Sequence, residues 1–311
     1  MNVSELVARV RDVGSLAIRA DTTDQKILDE ANSELFSRIV PMFRKMRGGF
    51  FRDWDDVVLV DSQAPYAIPT RAVESGVESI KYVDASGNEV FDLKEVNARQ
   101  IGRNGSNQWI VSGSNVSQLP SLFYFSQSRI FLAPAVSNPT GSLRIYYSRR
   151  PGKLVLDTVV GGAHTQVGTI LSSSYNGIYT TITLTASHNG WPWNTTVDVM
   201  SDLSPFRLML KDLATGTASM VTDIRVTGAD LTSVLVAGQY VTLARKAYVP
   251  EIPEEWHEYL LDLTVAKMLN KVGQTKSEML VREGAAEKLK LLVESTSPRG
   301  TNVPKIVRPS W

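Results

Sequence analysis

Apolar residues recur every three or four positions at both ends of this chain and every second position between them. The spacing predicts helices at the ends and strands in the middle. Ser4 suits an N-cap, Leu6, Val10 and Val13 follow at helical spacing, and Gly14 stops the turn. A stronger helix comes next. Thr22 and Gln25 have the spacing of a capping box, and Leu28, Ala31, Leu35, Ile39, Met42 and Met46 form one apolar stripe. Arg44, Lys45 and Arg47 crowd the last turn before Gly48-Gly49, where cations complement the helix dipole. Pro41 inside this pattern predicts a kink or an early end.

From Phe50 the period becomes two. Val57 to Val60, Tyr66 to Pro69, Ser79 to Val83, Trp109 to Val111, Leu122 to Phe125, Ile130 to Leu132 and Leu143 to Tyr147 read as strands. Ser86-Gly87-Asn88, Asn104-Gly105 and Asn138-Pro139 are turn signals between them. Such a run predicts an antiparallel barrel or sandwich. Composition then shifts. Residues 155–245 hold ten charged residues in 91, about half the density of the whole chain. Ser, Thr, Gly and Val dominate there, and Tyr179 to Thr185 and Met220 to Val226 read as strands of a second β unit.

Helical periodicity returns after Pro250. Pro253 suits a first helical position, with Glu254 and Glu255 in the first turn. Trp256, Leu260, Leu263, Ala266 and Leu269 form a buried face, and Val272-Gly273 ends it. Thr275 and Glu278 have capping-box spacing, followed by a stripe of Val281, Ala285, Leu289 and Leu292. The connection is short, so these two helices are expected to form an antiparallel hairpin. Residues 296–311 lack periodicity and read as an extended arm. The expected fold is α+β, a helical layer with an antiparallel β barrel or sandwich and an inserted β domain. The expected divisions are N-terminal helices at 1–49, β region at 50–151, inserted β domain at 152–248, helix hairpin at 249–295 and arm at 296–311.

Composition narrows the function. The 311 residues include 33 Lys and Arg against 32 Asp and Glu, and no cysteine. Thiolate chemistry, disulfides and Cys-ligated metals are thereby excluded. The charge balance argues against coating nucleic acid by bulk electrostatics. The first twenty residues are amphipathic and carry Glu5 and Asp12, so no signal peptide is expected there. No window is apolar enough to suggest a membrane span.

Candidate chemistry is sparse. His164, His188 and His257 fall in different elements without metal-binding spacing, and His257 reads as a hydrogen-bonded packing residue. Neither Gly102-Arg103-Asn104-Gly105 nor Gly161-Gly162 has the setting of a phosphate loop. Asp53 to Asp56 with Trp54 reads as a solvated loop, and Trp191 and Trp193 as packing residues or a glycan platform. No enzyme and no cofactor is expected. Two features carry a binding reading. The first is a patch of Arg44, Lys45, Arg47 and Arg52, facing a neighbour or passing DNA. The second is the arm, cationic and free of acids, whose Arg299, Pro304, Lys305, Arg308, Pro309 and Trp311 suit docking onto a partner.

Ile252-Pro253-Glu254-Glu255-Trp256-His257-Glu258-Tyr259-Leu260-Leu261, with Ala266 and the Gly273 break, resembles the C-terminal helix hairpin of tailed-phage head-to-tail adaptor proteins. Ile27-Leu28-Asp29-Glu30-Ala31-Asn32 and Tyr66-Ala67-Ile68-Pro69 are similar to the opening helix and first strands of that family. The resemblance covers residues 1–150 and 247–295. It implies a ring of twelve copies at the virion neck, assembled in the host cytoplasm. The implied partners are portal protein, tail or neck proteins and its own copies, with DNA passing through without sequence recognition. The segment 152–248 departs from the family core. An alternative is therefore a β-rich tail or baseplate protein whose inserted domain binds glycan or another tail protein.

Overall fold

The computed structural model describes residues 1–13, 22–46, 49–60, 65–97, 119–126, 128–133, 136, 139–157, 159–160, 163–164, 166–186, 195–202, 208–215, 222–228 and 230–296. The chain divides into two compact units, Arg47–Arg150 and the remainder, Met1–Met46 with Pro151–Trp311.

The Arg47–Arg150 unit is built on two four-stranded sheets. Its strands are β1 (Arg52–Val58), β2 (Tyr66–Ala67), β3 (Ala72–Val83), β4 (Glu89–Asp92), β5 (Lys94–Glu95), β6 (Leu122–Ser126), β7 (Arg129–Ala133) and β8 (Ser142–Arg149). One sheet runs β1-β8-β3-β4 and the other β2-β7-β6-β5. In β8 burial alternates strictly, with Leu143, Ile145 and Tyr147 inward and Arg144 and Tyr146 outward. These three inward residues share one core with Ile80 and Tyr82 of β3, Tyr66 of β2, Phe123 of β6, and Ile130 and Leu132 of β7. The sandwich reading holds. A barrel does not form, because each described sheet keeps two open edges.

The charge-rich stretch Asp53 to Asp56 is part of strand β1 and not the expected loop. Its polar side chains find partners on β8, which is why a strand tolerates them. Asp56 lies opposite Arg144, Trp54 opposite Tyr146, and the Tyr147 hydroxyl donates to Asp55 at 3.1 Å.

The second unit contains the helices α1 (Val3–Val13), α2 (Asp24–Glu34), α3 (Val40–Met46), α4 (His257–Lys271) and α5 (Thr275–Thr296). Several ends differ from the expected ones. Asn2, and not Ser4, caps α1: its Oδ1 accepts from the Glu5 amide at 2.9 Å while Glu5 accepts the Asn2 amide at 3.0 Å. Thr23, one residue past the expected cap, accepts from the Lys26 amide to start α2. Glu278 does not turn back toward Thr275; it accepts from Asn270 at 2.5 Å and pairs with Arg282 at 2.6 Å.

Pro41 does not end its helix, which runs on to Met46. A π-helical turn at Leu35–Ile39 precedes it, in which the Val40 amide donates to Leu35. The wider turn takes up one extra residue and shifts the following apolar face by one position. Phe43 is therefore buried, while Met42 and Met46 of the expected stripe are only half-buried.

The helical layer closes around Leu6, Val10, Ile27, Leu35, Phe43 and Trp256, all essentially solvent-free. Trp256 meets Phe43 and Tyr259 edge-on at 5.3 and 5.9 Å. Ion pairs cross its seams. Arg9 joins α1 to Glu258 of α4 at 2.5 Å, Lys267 joins α4 to Glu30 and Glu34 of α2 at 3.1 Å each, and Lys288 joins α5 to Asp262 at 2.6 Å. Gly273, at φ 78°, ends α4: its amide donates to Asn270, and the Gln274 amide donates to Leu269.

The same unit carries the β structure that follows residue 151. Strands β9 (Lys153–Leu154) and β18 (Lys246–Ala247) pair in parallel, and β10 (Val159–Val160) and β11 (Ala163–His164) form a short ladder. The main antiparallel sheet contains β12 (Val167–Tyr175), β13 (Tyr179–Leu184), β14 (Thr196–Met200), β15 (Leu208–Ala214), β16 (Asp223–Thr227) and β17 (Tyr240–Leu243). Its order is β15-β14-β17-β12-β13-β16. Ile170, Ile182, Leu184, Val197, Val199, Ile224 and Val241 form its core.

Two buried polar side chains fix this architecture. Asn32 of α2 donates to the Leu154 carbonyl at 3.0 Å and accepts the Leu154 amide at 2.8 Å, so one side chain serves α2 as a strand edge. Asp198 of β14 accepts the amides of Asp212 and Arg245 at 2.9 and 2.8 Å. Both of those residues have positive φ, 50° and 67°, so one carboxylate holds two unfavourable backbone turns.

Candidate interaction surfaces

The outward face of the β1-β8-β3-β4 sheet carries a dense side-chain cluster. Period-two alternation on β8 turns Arg144 and Tyr146 outward beside Trp54 and Asp56 of β1. Arg144 makes a two-pronged contact with Asp56, both N–O distances being 2.9 Å, and a third to Glu89 at 3.2 Å. Its guanidinium lies 4.2 Å from the Trp54 ring centroid. Arg52 covers Tyr146 at 4.7 Å and pairs with Glu78 at 3.0 Å. The Tyr146 hydroxyl donates to Glu89, and Lys81 donates to the other Glu89 oxygen at 2.8 Å.

These contacts set the electrostatics. The hydrogen bond from Lys81, then that from Tyr146, holds the Glu89 carboxyl down at about 2. Donation to Glu89 pushes the Tyr146 phenol up, and the Asp56 contact raises Arg144. Every charge named here has an opposite partner. The cluster presents Trp54, 44 % exposed, on a preordered surface of the composition typical of protein contacts. The apolar pattern hides it, because this stretch alternates in charged and aromatic residues.

The same unit holds a cavity of about 680 Å³ lined by Ile68, Pro69, Val77, Phe125, Glu95 and Ser128. Its lining is mostly aliphatic and carries one carboxylate. No group of His, Asp and Glu suited to a metal occurs among the described residues. No helix among them is long and apolar enough to cross a membrane.

The residues expected to bind are distributed as follows. Arg44 and Lys45 lie in the last turn of α3, in the larger unit, while Arg52 opens β1 in the Arg47–Arg150 unit and is engaged by Glu78 and Tyr146. Arg47 lies outside the described residues, as do Arg299, Pro304, Lys305, Arg308, Pro309 and Trp311 of the arm. Trp109 to Val111, His188, Trp191, Trp193 and the two glycine-containing loops at 102–105 and 161–162 also lie outside them. His257 is buried and hydrogen-bonded through Nε2 to the Pro250 and Ile252 carbonyls at 3.3 and 3.1 Å, the packing role read from its position.

No curated protein matches this chain. A family model described as SU10 adaptor protein matches residues 1–187, well over half of the 311. That span takes in α1 to α3, the whole two-sheet unit and the strands through β13. The chain therefore belongs to the SU10 adaptor protein family of phage structural proteins.

Proposed function

We propose that the chain is a ring-forming subunit of the virion neck that joins the portal vertex to the tail and lets DNA pass. Membership of the adaptor family over residues 1–187 is the observation that carries this reading. Physical features agree with it. A ring needs a heterologous contact that repeats and closes, and near-equal numbers of cations and anions limit repulsion among many packed copies. In the described helical layer Arg9 and Lys267 are held by carboxylates across internal seams, which leaves these two cations less able to grip passing DNA.

In this reading the ring has twelve copies and assembles in the host cytoplasm. Arg299, Pro304, Lys305, Arg308, Pro309 and Trp311 dock the arm onto portal or a neighbouring subunit, with Trp311 as the anchor. Arg44, Lys45, Arg47 and Arg52 line an interface or the DNA path. The test is native mass measurement of the full chain mixed with portal rings. A stoichiometric complex is expected, and deletion of residues 297–311 should weaken it while leaving the melting temperature unchanged. A chain that never joins portal under assembly conditions would count decisively against the reading.

A further inference from the structure

α5 touches the rest of its unit along one narrow seam. Glu278 and Ala285 are buried there, and Val281, Leu289 and Leu292 are half-buried. The opposite face is open. Leu280 is 71 % exposed and Leu291 is 67 % exposed, with Glu283, Gly284, Glu287 and Lys290 exposed between them. Leu280, Gly284, Glu287 and Leu291 follow each other at steps of four, three and four, which places them on one stripe.

Three features of that stripe disfavour the helix on its own. Two leucines face water. Gly284 sits mid-helix, which costs about 1 kcal/mol relative to Ala, and the position its Cβ would take is empty space. Glu283 and Glu287 are like charges one turn apart, which is destabilising on a helix surface. Among the described residues nothing covers the two leucines or fills the space at Gly284.

An antiparallel copy of the same helix answers all three. Setting Leu280 against Leu291 of a second copy buries both leucines twice over. That register places Gly284 opposite Glu287 of the second copy, whose aliphatic stem fits the space left by the missing side chain. It also brings Glu283 beside Lys290 of the second copy, so two symmetry-related ion pairs relieve the Glu283–Glu287 repulsion. We propose that the outer face of α5 is a self-association surface that takes the α5 of a second copy of this chain, antiparallel and two-fold. This contact closes at two chains, whereas a ring requires a contact that repeats, so the two use different surfaces.

Sedimentation of the full chain over a wide concentration range tests the pairing. A reversible dimer is expected. Glu283→Lys and Lys290→Glu should each weaken it about tenfold or more, because two ion pairs become two like-charge contacts. The double exchange should restore it, which a folding defect would not do. Since the chain has no cysteine, a second readout is clean. A Leu280→Cys chain mixed with a Leu291→Cys chain should form a disulfide between the two, faster than either forms one alone. A chain that stays monomeric, singles that leave association unchanged, or a double exchange that fails to restore it would each overturn the proposal. None of these outcomes touches the neck reading, which stands or falls on portal binding.

Discussion

At the scale of single residues, buried polar groups hold this molecule in shape. Asn32 closes two hydrogen bonds with the backbone of Leu154. Asn32→Ala leaves a buried amide and a buried carbonyl without partners and should cost about 2–3 kcal/mol of stability, read from chemical denaturation. His257 adds a pH dependence. Burial, and next the positive charge of the Met1 amino group, lower it from 6.5 to about 4. Between those values the unfolded chain takes up a proton that the folded chain refuses. The folded state should therefore keep full stability above about pH 6.5 and lose up to roughly 3 kcal/mol as pH falls toward 4. Melting temperatures across that range check it, and His257→Gln should flatten the slope. Neither role shows in sequence: an Asn in a helix pattern and a lone His both look ordinary until their distant partners are located.

At the scale of elements, periodicity was a good guide to existence and type and a poor one to ends. The α4–α5 hairpin, the Gly273 stop and the strands around Ile80, Phe123, Ile130 and Ile145 follow from spacing alone. Caps did not, because several nearby Ser, Thr and Asn residues can each reach the first free amides, and side-chain geometry chooses among them. The π turn at Leu35–Ile39 was equally hidden, since a one-residue insertion leaves the apolar pattern nearly unchanged until Phe43 replaces Met42 in the core. The stripe on α4 permits a sharp check. Leu263 is 6 % exposed, so Leu263→Asp places an unpaired carboxylate inside the helical layer. It should destabilise the larger unit by more than about 3 kcal/mol, seen as loss of its cooperative melt. A soluble variant melting near the parent temperature would show that this face is less enclosed than its burial indicates.

At the scale of the whole molecule, the two-sheet unit is inserted into the chain between Met46 and Pro151. Its first and last strands pair, with Arg52 opposite Ser148, so both ends leave it side by side. It also has a core of its own. Residues 47–150 expressed alone should therefore fold and melt cooperatively, measured by near-ultraviolet circular dichroism. The converse fragment, 1–46 joined to 151–311 by a short linker, should retain the Asn32–Leu154 contact, because both partners lie in the larger unit.

The sequence by itself determined the α+β class, the helices at both ends, the β content between them and the absence of cysteine chemistry. Each of these depends on local spacing or composition, which a linear chain displays directly. Tertiary structure decided what depends on residues far apart in the chain. It joined Asp56 to Arg144 and Glu89, and so turned an apparent loop into a strand bearing a cation–aromatic cluster. It bound α2 to β9 through Asn32, and it left the leucines of α5 facing outward. Partner choice among distant polar groups follows from where the backbone brings them, and no one-dimensional period encodes that.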